Sequence, residues 1–230
     1  MTFWEHLDEL RSHIWRILLV ALAAMVVCFC FKKPLFDVVL MPKPDNLDLI
    51  NVDIAQQFLT HMRVALLVGL LLAAPYIIYE LFAFVAPGLY ATERRLTVRA
   101  LGGAVLLFYA GVALNYFVIF PFTVRFLGSY QVNPEVENLI SLTSYVNLLL
   151  VMSLVMGIVF ELPVLCWLLA KFGVLKASFM CRYRRHAIVV ILIVGAVITP
   201  TGDPFTLSLV SIPIYLLWEL SILIVKRIEK

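Results

Sequence analysis

Charged side chains are scarce in this sequence. Lysine, arginine, aspartate and glutamate make up 14% of its 230 residues, hydrophobic residues make up 63%, and the mean hydropathy is +1.00. Soluble domains average roughly 25% charged and 45 to 50% apolar residues. The composition therefore excludes an ordinary soluble protein and indicates an integral membrane protein.

Patterns for disulfide bonding, metal binding and catalysis are also lacking. Cys28, Cys30 and Cys166 lie in apolar runs, where a thiol behaves as a small hydrophobic group, and Cys181 lies in a basic loop. The sequence has no His-Glu-x-x-His motif and no Ser/Lys pair within its apolar runs. We therefore expect no disulfide framework, no metal, no other cofactor and no enzymatic activity.

A cleavable signal peptide is not indicated at the N-terminus. Glu5, Asp8 and Glu9 occupy the region that is basic in a signal peptide, and no small-residue cleavage site follows the first apolar run. We therefore expect the first apolar run to remain in the protein as a membrane span.

Apolar runs along the chain predict an all-α membrane fold of six transmembrane helices, forming one domain over 1–230. The predicted spans are 14–36, 64–82, 98–120, 142–170, 187–199 and 205–225. The run 187–199 offers only about 13 residues, or roughly 20 Å of helix, against a hydrocarbon core of about 30 Å. This run is either a short span that completes the set of six in a thinned bilayer, or a re-entrant hairpin. A hairpin would place the C-terminus on the opposite side of the membrane from the N-terminus.

Basic residues are unevenly divided between the two sides that six spans would create. One side would carry Arg11, Arg16, Arg94, Arg95, Arg99, Lys171, Lys176, Arg182, Arg184, Arg185, Lys226, Arg227 and Lys230, and the other Lys32, Lys33, Lys43, Arg63 and Arg125. Cytoplasmic loops are enriched in lysine and arginine, so this division predicts that both termini are cytoplasmic. It also accounts for the net charge of +3 without a nucleic-acid partner.

The segment from Phe84 to Arg95 separates the second and third predicted spans. Pro87 lacks the amide hydrogen that a helix needs, and Gly88 tolerates a positive φ, so the second span should end near Phe84 and the chain should turn. Glu93 follows at the water boundary. On its own it is either a loop acid paired with a nearby arginine or a functional carboxylate.

The first eleven residues predict an amphipathic helix that leads into the first span. Thr2 and Glu5 fit a capping box, and apolar residues recur at helical spacing. Glu9 lies off this apolar stripe, at the same predicted boundary as Glu93, so two carboxylates share one surface. The alternative is that Asp8 and Glu9 only pair with neighbours along the helix, which contributes roughly 0.2 to 0.5 kcal/mol per pair.

Several short motifs, spread over nearly the whole chain, form a distinctive pattern in their order and spacing. They are His6-Leu7-Asp8-Glu9-Leu10-Arg11, Pro42, Phe84 to Glu93, Phe120-Pro121-Phe122 closing the third span, Phe160-Glu161-Leu162-Pro163, and Thr199-Pro200 with Asp203. Taken together, they resemble the TatC family, the multispanning receptor of the twin-arginine protein translocase. The resemblance implies a curved bundle with short fifth and sixth helices in the bacterial cytoplasmic (inner) membrane.

The resemblance implies a receptor that binds the twin-arginine signal peptide of folded precursor proteins at the cytoplasmic face and nucleates a translocase driven by the proton-motive force. Glu9 and Glu93 match the two acids that hold the paired arginines, and Phe84 and Leu89 are candidates for the path of the peptide. A guanidinium offers a carboxylate a planar fork of donors that lysine lacks. Arg11 is expected to orient an acid of the site or to contact lipid headgroups.

Two further acids are candidate functional residues. Glu80 stands where family members typically have glutamine, and it either helps to hold the second arginine or neutralises Arg94 or Arg95. Glu161 falls near the middle of the membrane, where an acid is a functional candidate by default. It is either a hydrogen-bonded acid between helices or, by resemblance, faces the concave side of the bundle, where it contacts lipid or the signal peptide.

The remaining candidates come from the resemblance. Pro42, Tyr116 and Asp203 are candidate functional positions, and Asp203 is a candidate for partner binding. The expected partners, within an oligomeric complex, are TatA-like and TatB-like single-span proteins docked along the fifth and sixth helices. There Thr206 and Ser208 supply hydroxyl groups beside a leucine that replaces the glutamine of many relatives.

One other function class remains open at the level of sequence. A secondary transporter would use Glu161 as an intramembrane proton or ion site. Such proteins are typically built from inverted repeats with broken helices in matching places, and no such repeat is evident. A transporter predicts ligand flux by the purified chain, whereas a receptor predicts peptide binding without flux.

Overall fold

The computed structural model describes residues 3–44, 47–85, 94–131, 133, 138–199 and 202–229, and these are predominantly helical. The helices are α1 (Phe3–Cys30), α2 (Lys32–Leu40), α3 (Gln56–Val85), α4 (Arg94–Leu114), α5 (Phe120–Ser129), α6 (Leu142–Val159), α7 (Leu162–Lys171), α8 (Ala177–Arg182), α9 (Arg184–Ile198) and α10 (Pro204–Ile228). A π-helix, Asn115–Ile119, joins α4 to α5, and β1 (Leu49–Ile50) and β2 (Ile140–Ser141) are strands of two residues. The predicted all-α membrane fold is confirmed.

Five helical segments in the described part of the chain are long and apolar enough to cross a membrane. They are Asp8–Cys30, Gln56–Phe84, Ala100–Ser129, Leu142–Lys171 and Pro204–Ile228. Helix α9 has 15 residues, or about 22 Å at 1.5 Å per residue. It is therefore shorter than the hydrocarbon core, as expected for the fifth helix, and its crossing of the membrane stays a prediction.

The chain forms two compact units. The first comprises Met1–Met41, Leu49–Leu106 and Ser141–Leu150, and the second Pro42–Asp48, Leu107–Ile140 and Val151–Lys230. In the first unit α1 packs along α3, and α2 contacts both helices. In the second unit α10 packs against α7, α8 and α9, and its last turns enclose an apolar cluster with Cys166, Ala177 and Met180.

Three of the predicted helix ends follow from local chemistry. Helix α3 ends at Val85, within one residue of the predicted end at Phe84. Helix α10 begins after Asp203, whose carboxylate accepts a hydrogen bond from the Thr206 amide at 2.7 Å, which satisfies one free donor of the first turn. Helix α7 ends before Gly173, whose φ of +72° lies in the left-handed region that glycine adopts without strain.

Three predicted spans have different boundaries in the structure. The first apolar run is interrupted because α1 ends at Cys30 and α2 begins at Lys32, with Pro34 in the first turn of α2, where its missing amide is tolerated. The third span does not close at the Phe-Pro-Phe motif. Pro121 falls in the first turn of α5, so the π-helix and α5 extend the helix to Ser129.

The fourth span is divided into α6 and α7 at Phe160 and Glu161. Pro163 lies in the first turn of α7 and has no amide hydrogen to continue the α6 ladder. The amide of Glu161 instead donates to the Ile158 carbonyl oxygen at 3.1 Å, a tighter turn than the α-helix makes. The sequence motif that carries Glu161 is thus also the motif that breaks the helix.

Candidate functional site

The carboxylate of Glu80 is buried between α1 and α3. Its side chain lies on α3, and its Oε2 atom is hydrogen-bonded to Nδ1 of His13 on α1. A guanidinium nitrogen of Arg16 is 3.9 Å from the same oxygen, and Tyr76, one turn earlier on α3, also interacts with this carboxylate. Only 3% of Glu80 is exposed. Groups of the protein itself therefore surround this acid.

His13 also contacts the end of α3. Its ring packs edge to face against Phe84, with centroids 5.9 Å apart and an interplanar angle of 71°. Glu9 precedes His13 by four residues on the same helix, which is about one turn or 6 Å along the axis. The Glu9 side chain is half-buried and Arg11 is exposed. The contacts of His13 thus hold the helix of Glu9 beside Phe84.

The structure brings together some of the predicted site residues. Glu80 and Phe84 lie against the helix that carries Glu9, as a shared binding surface requires. Glu93 and Leu89 lie outside the described residues, and so do the side chains of Arg94 and Arg95. Of the two roles considered for Glu80, neutralising basic groups of the protein matches its contacts, although the bases observed are His13 and Arg16 of α1.

Sequence analysis did not select His13 as a site residue. The available signal was its position four residues after Glu9, on the same face of α1. Its pairing with Glu80 depends on the docking of α1 on α3, which places residues 67 positions apart in contact. Helical spacing alone does not reveal which side chains of two helices meet.

Glu161 lies at the break between α6 and α7, beside a deep apolar cleft. The cleft has a volume of about 610 Å³. Its lining includes Leu165, Tyr183, His186, Val190 and Trp218. The Oε1 atom of Glu161 is buried and has no hydrogen-bond partner within the described residues. The hydrogen-bonded acid between helices is therefore not what the structure shows for this oxygen, because the carboxyl group borders an apolar cavity.

Two polar residues of this cleft, Tyr183 and His186, were missed by sequence analysis. They lie at the junction of α8 and α9, and their rings are 5.2 Å apart. The indole Nε1 of Trp218 is also buried without a hydrogen-bond partner among the described residues. His186 lies at the start of a short apolar run, and this position could have indicated it as a site residue. Its proximity to the α6–α7 break is set by packing on α10, which the sequence does not reveal.

Pro42 and Tyr116 occupy different surroundings. Pro42 is partly buried in the loop that follows α2. Tyr116 lies in the π-helix and packs edge to face on Phe117, with ring centroids 4.9 Å apart. Beside it, the side-chain amide of Asn115 donates to the Ser153 hydroxyl at 2.9 Å and links the π-helix to α6.

The polar residues at the start of α10 have different hydrogen bonds. Thr206 is fully buried, and its hydroxyl has no partner among the described residues. Ser208 is exposed, but its hydroxyl donates to the Pro204 carbonyl oxygen at 2.7 Å. The Ser208 hydroxyl thus donates within its own helix in this structure, and the role of Ser208 in docking a partner helix stays a prediction.

Comparisons with known proteins agree along nearly the whole chain. A family model described as Sec-independent protein translocase protein (TatC) matches residues 5–213. The chain is 34% identical to TatC of Koribacter versatilis, covering 96% of this chain and 84% of that protein. It is also 34% identical to TatCy of Bacillus subtilis, covering 98% and 89%. A chloroplast TATC of Arabidopsis thaliana is 36% identical, covering 93% and 63%.

The fold is similar to that of two crystal structures described as the twin-arginine translocase receptor TatC. Each is 30% identical in sequence. One has a TM-score of 0.84 and covers 98% of this chain and 100% of its own, and the other has a TM-score of 0.85 and covers 95% and 98%. None of these matches is described as a secondary transporter, so that alternative gains no support.

Proposed function

The chain belongs to the TatC family of Sec-independent protein translocase proteins and is a subunit of the twin-arginine translocation system, and we propose that it binds the paired arginines of a signal peptide with Glu9 and Glu93. In this proposal the first turns of α1 and the segment after α3 form the binding surface. The surface faces the cytoplasm, and its occupation by folded precursors nucleates the translocase.

The observation that carries this proposal is the anchorage of α1 on the end of α3. His13 is hydrogen-bonded to the buried Glu80 and packs on Phe84. Glu9 lies one turn before His13, and α3 ends at Val85, eight residues before Glu93. The contacts of His13 therefore hold Glu9 near the end of the helix that leads into the segment of Glu93.

Two separately held carboxylates suit two arginines. Each guanidinium presents a planar fork of donors to carboxylate oxygens, whereas an ammonium group acts as a point charge. Hydrogen bonds to charged groups contribute about 1.5 to 3 kcal/mol each, while micromolar binding corresponds to about 8 kcal/mol. The arginines thus give selectivity for the peptide but only part of its affinity.

The apolar stretch of the signal peptide supplies the remaining affinity. Phe84 is half-buried at the end of α3, and Leu89 lies in the segment beyond it. Burial of apolar surface contributes roughly 25 cal/mol per Å², so contacts over a few hundred Å² match the missing free energy. We place this stretch against Phe84, Leu89 and the surrounding lipid.

Glu80 supports the site rather than binding the cargo. Its carboxylate already interacts with His13, Arg16 and Tyr76. A second arginine would have to displace these groups from a side chain that is 3% exposed. Family members typically have glutamine at the position of Glu80, and the negative charge that glutamate adds here lies next to the basic residues His13 and Arg16 of α1.

Single-span TatA-like and TatB-like proteins are the proposed partners of α9 and α10. One face of α9 exposes Val189, Ile193 and Val197, and α10 exposes Ile212 and Leu216. Helix α9 is only about 22 Å long, so a partner helix that docks on it, or the bilayer around it, must adapt to this shorter length. The protein acts as a receptor within this assembly, and we assign it no catalytic step.

We place the protein in the bacterial cytoplasmic membrane with six spans and both termini inside. The division of 13 basic residues against 5 between the two predicted sides supports this orientation. Five described segments have the length of a span, and α9 is taken as the additional, short one. The surface formed by Glu9 and Phe84 then faces the compartment where folded precursors are made.

Peptide binding to the full chain in detergent tests the proposed function. A labelled twin-arginine signal peptide should bind, and replacing its two arginines by lysines should weaken binding at least about tenfold, since both forks are lost. Glu9→Gln and Glu93→Gln should each weaken binding by about tenfold or more.

Asp8→Asn provides the matched control. Asp8 is an exposed neighbour of Glu9 on the same helix, so its substitution removes one charge from α1 without touching the proposed site. Its affinity for the peptide should stay within twofold of the unsubstituted protein. Equal binding of the arginine and lysine peptides, or unchanged binding by both glutamine variants, contradicts the assignment of Glu9 and Glu93.

A further inference from the structure

A basic cleft lies at the C-terminal end of α5, within the second compact unit. Its volume is about 600 Å³, in the range of small-molecule sites. The loop after α2 contributes Lys43, Pro44 and Leu47 to its lining, and α5 contributes Val124, Arg125, Gly128 and Ser129. Neither the proposed binding of the signal peptide nor the proposed docking of partner helices uses this cleft.

Leu47, in the loop after α2, lies next to Gly128 of α5. The ammonium group of Lys43 donates a hydrogen bond to the Leu47 carbonyl oxygen, and the Leu47 side chain is buried. A Cβ atom placed on Gly128 would lie 3.3 Å from Leu47 Cδ1, closer than most such contacts. The small residue at this position thus lets the loop approach the helix and close one wall of the cleft.

Two cations, Lys43 and Arg125, line the cleft, and neither forms an ion pair with an acid among the described residues. No carboxylate oxygen in that part of the chain lies within 4 Å of Lys43 or Arg125. A pair of cations in one concave site favours an anion, and a phosphate suits both an ammonium and a guanidinium group.

The position of Arg125 along its helix points to the membrane surface. It is the only charged residue in the sequence from Ala100 to Ser129. This segment has 30 residues, or about 45 Å at 1.5 Å per residue. The hydrocarbon core is about 30 Å thick and the bilayer with headgroups about 40 to 45 Å. Arg125, four residues from the end of the segment, therefore falls at the depth of the headgroups.

Apolar side chains lead along the helix to this arginine. Phe122 precedes Arg125 by three residues, on the same side of α5, and is 53% exposed. Phe117 is also exposed on the preceding π-helix. An apolar surface that ends in a cation matches a molecule with acyl chains and a phosphate head, and it does not match a small soluble anion.

We propose that the cleft binds the phosphate of an anionic phospholipid, held between Lys43 and Arg125. Phosphatidylglycerol is the probe of choice because it carries a net negative headgroup on two acyl chains. The acyl chains would lie along Phe122, and the headgroup would occupy the space beside Ser129. Basic pockets beside transmembrane helices bind lipid headgroups by the same combination of charge and depth.

Native mass spectrometry of the full chain in neutral detergent tests this site. Phosphatidylglycerol should bind about tenfold or more tightly than phosphatidylcholine, whose headgroup is neutral overall. Arg125→Gln and Lys43→Gln should each lower the affinity for phosphatidylglycerol by about five- to tenfold, since each removes a charge-assisted hydrogen bond. Arg125→Lys should lose less, because it keeps the charge.

Lys33→Gln is the matched control, since Lys33 is an exposed lysine of α2 that does not line the cleft. Its affinity should change by less than twofold. Equal binding of the two lipids, or an effect of Lys33→Gln as large as that of Lys43→Gln, overturns the site. Displacement of phosphatidylglycerol by millimolar inorganic phosphate overturns the lipid as ligand, in favour of a soluble anion. If Arg125→Gln melts at a lower temperature than the unsubstituted protein, the affinities of Lys43→Gln and Arg125→Lys for phosphatidylglycerol test the site in its place.

Discussion

At the scale of single residues, Glu80 is an acid for which the sequence left two roles open, holding an arginine of the cargo or neutralising basic groups of the protein. A carboxylate near a surface that binds arginine suggests a direct ligand, yet the structure surrounds Glu80 with His13, Arg16 and Tyr76. Removing one member of a buried polar group leaves its partners without compensation for lost hydration. We therefore expect Glu80 to affect cargo binding only through the position of α1.

Glu80→Gln should lower the free energy of unfolding of the protein even when no peptide is bound. We expect a loss of about 1 to 2 kcal/mol, because His13 and Arg16 lose a charged acceptor. The measurement is the melting temperature of the purified protein in detergent, together with the affinity for the twin-arginine peptide. Binding should weaken by less than with Glu9→Gln.

Measuring the stability of His13→Gln and of the double variant His13→Gln/Glu80→Gln completes the test of Glu80. Because the two residues are in contact, their effects on stability should not add, and the coupling should exceed about 0.5 kcal/mol. Asp8→Asn serves again as the control for charge on α1. Loss of peptide binding in Glu80→Gln at an unchanged melting temperature would identify Glu80 as a direct ligand instead.

The residue scale also shows what helical spacing predicts. Spacing placed Glu9 on a polar face of an N-terminal helix, and α1 confirms the helix. It did not predict that His13 would meet Glu80, or that Glu161 would border a cleft with His186. These pairings depend on which faces of the helices dock, and a sequence with more than half of its residues apolar offers many equivalent faces.

At the scale of helices, the docking of α1 on α3 depends on one close approach. A Cβ atom placed on Gly69 would lie 2.7 Å from the backbone nitrogen and 2.8 Å from the Cα atom of Met25. Backbone atoms cannot rotate away as a side chain can, so any larger residue must separate the helices. Small residues at such crossings are a common means of helix packing in membranes.

Gly69→Ala should therefore weaken the contact of α1 with α3. Overpacking typically costs about 1 to 3 kcal/mol, and the displaced α1 should also bind the signal peptide less tightly. The melting temperature and the peptide affinity are the two measurements, and both should fall.

Gly103→Ala is the matched substitution on α4. Apart from its own helix backbone and chain neighbours, no atom of the described residues lies within 4 Å of a Cβ placed at Gly103, and alanine is favoured over glycine within a helix by up to about 1 kcal/mol. This variant should melt at the same temperature or higher and bind the peptide normally. Equal melting temperatures for the two variants would show that α1 and α3 are not closely packed at Gly69.

The helix scale also separates good predictions from poor ones. The end of α3 and the start of α10 were predicted within one residue, because proline, glycine and aspartate act on their immediate neighbours. The break after α1, the π-helix before α5 and the division at Phe160 were missed. Uniform hydrophobicity hides such interruptions, since a broken helix and a straight one bury the same kinds of side chain.

At the scale of the whole molecule, the membrane topology turns on α9. Its 15 residues either cross a thinned bilayer or form part of a re-entrant turn. Basic residues flank its start, where Arg184 is bonded to Glu219 at 2.7 Å. The positive-inside rule predicts that this end is cytoplasmic, and with a full crossing by α9 the chain would return to the cytoplasm through α10.

Reporter fusions determine this topology. A reporter that is active only in the cytoplasm should be active when fused after Lys230, and inactive when inserted in the loop 131–138. A reporter that is active only outside should give the reverse pattern. An external C-terminus with an unchanged loop would mean that α9 does not cross the membrane, and would overturn the assignment of six spans.

The sequence by itself determined the membrane setting, the helical class, the family and some of the helix ends, among them the end of α3 and the start of α10. Each of these follows from composition, from local chemistry at proline, glycine and capping residues, or from the order of motifs along the chain. Only the tertiary structure decided that Glu80 contacts His13 and Arg16 of α1, that Glu161 borders an apolar cleft, and that Lys43 and Arg125 line one cleft. These facts depend on contacts between residues distant in sequence, and such contacts are set by how helices pack.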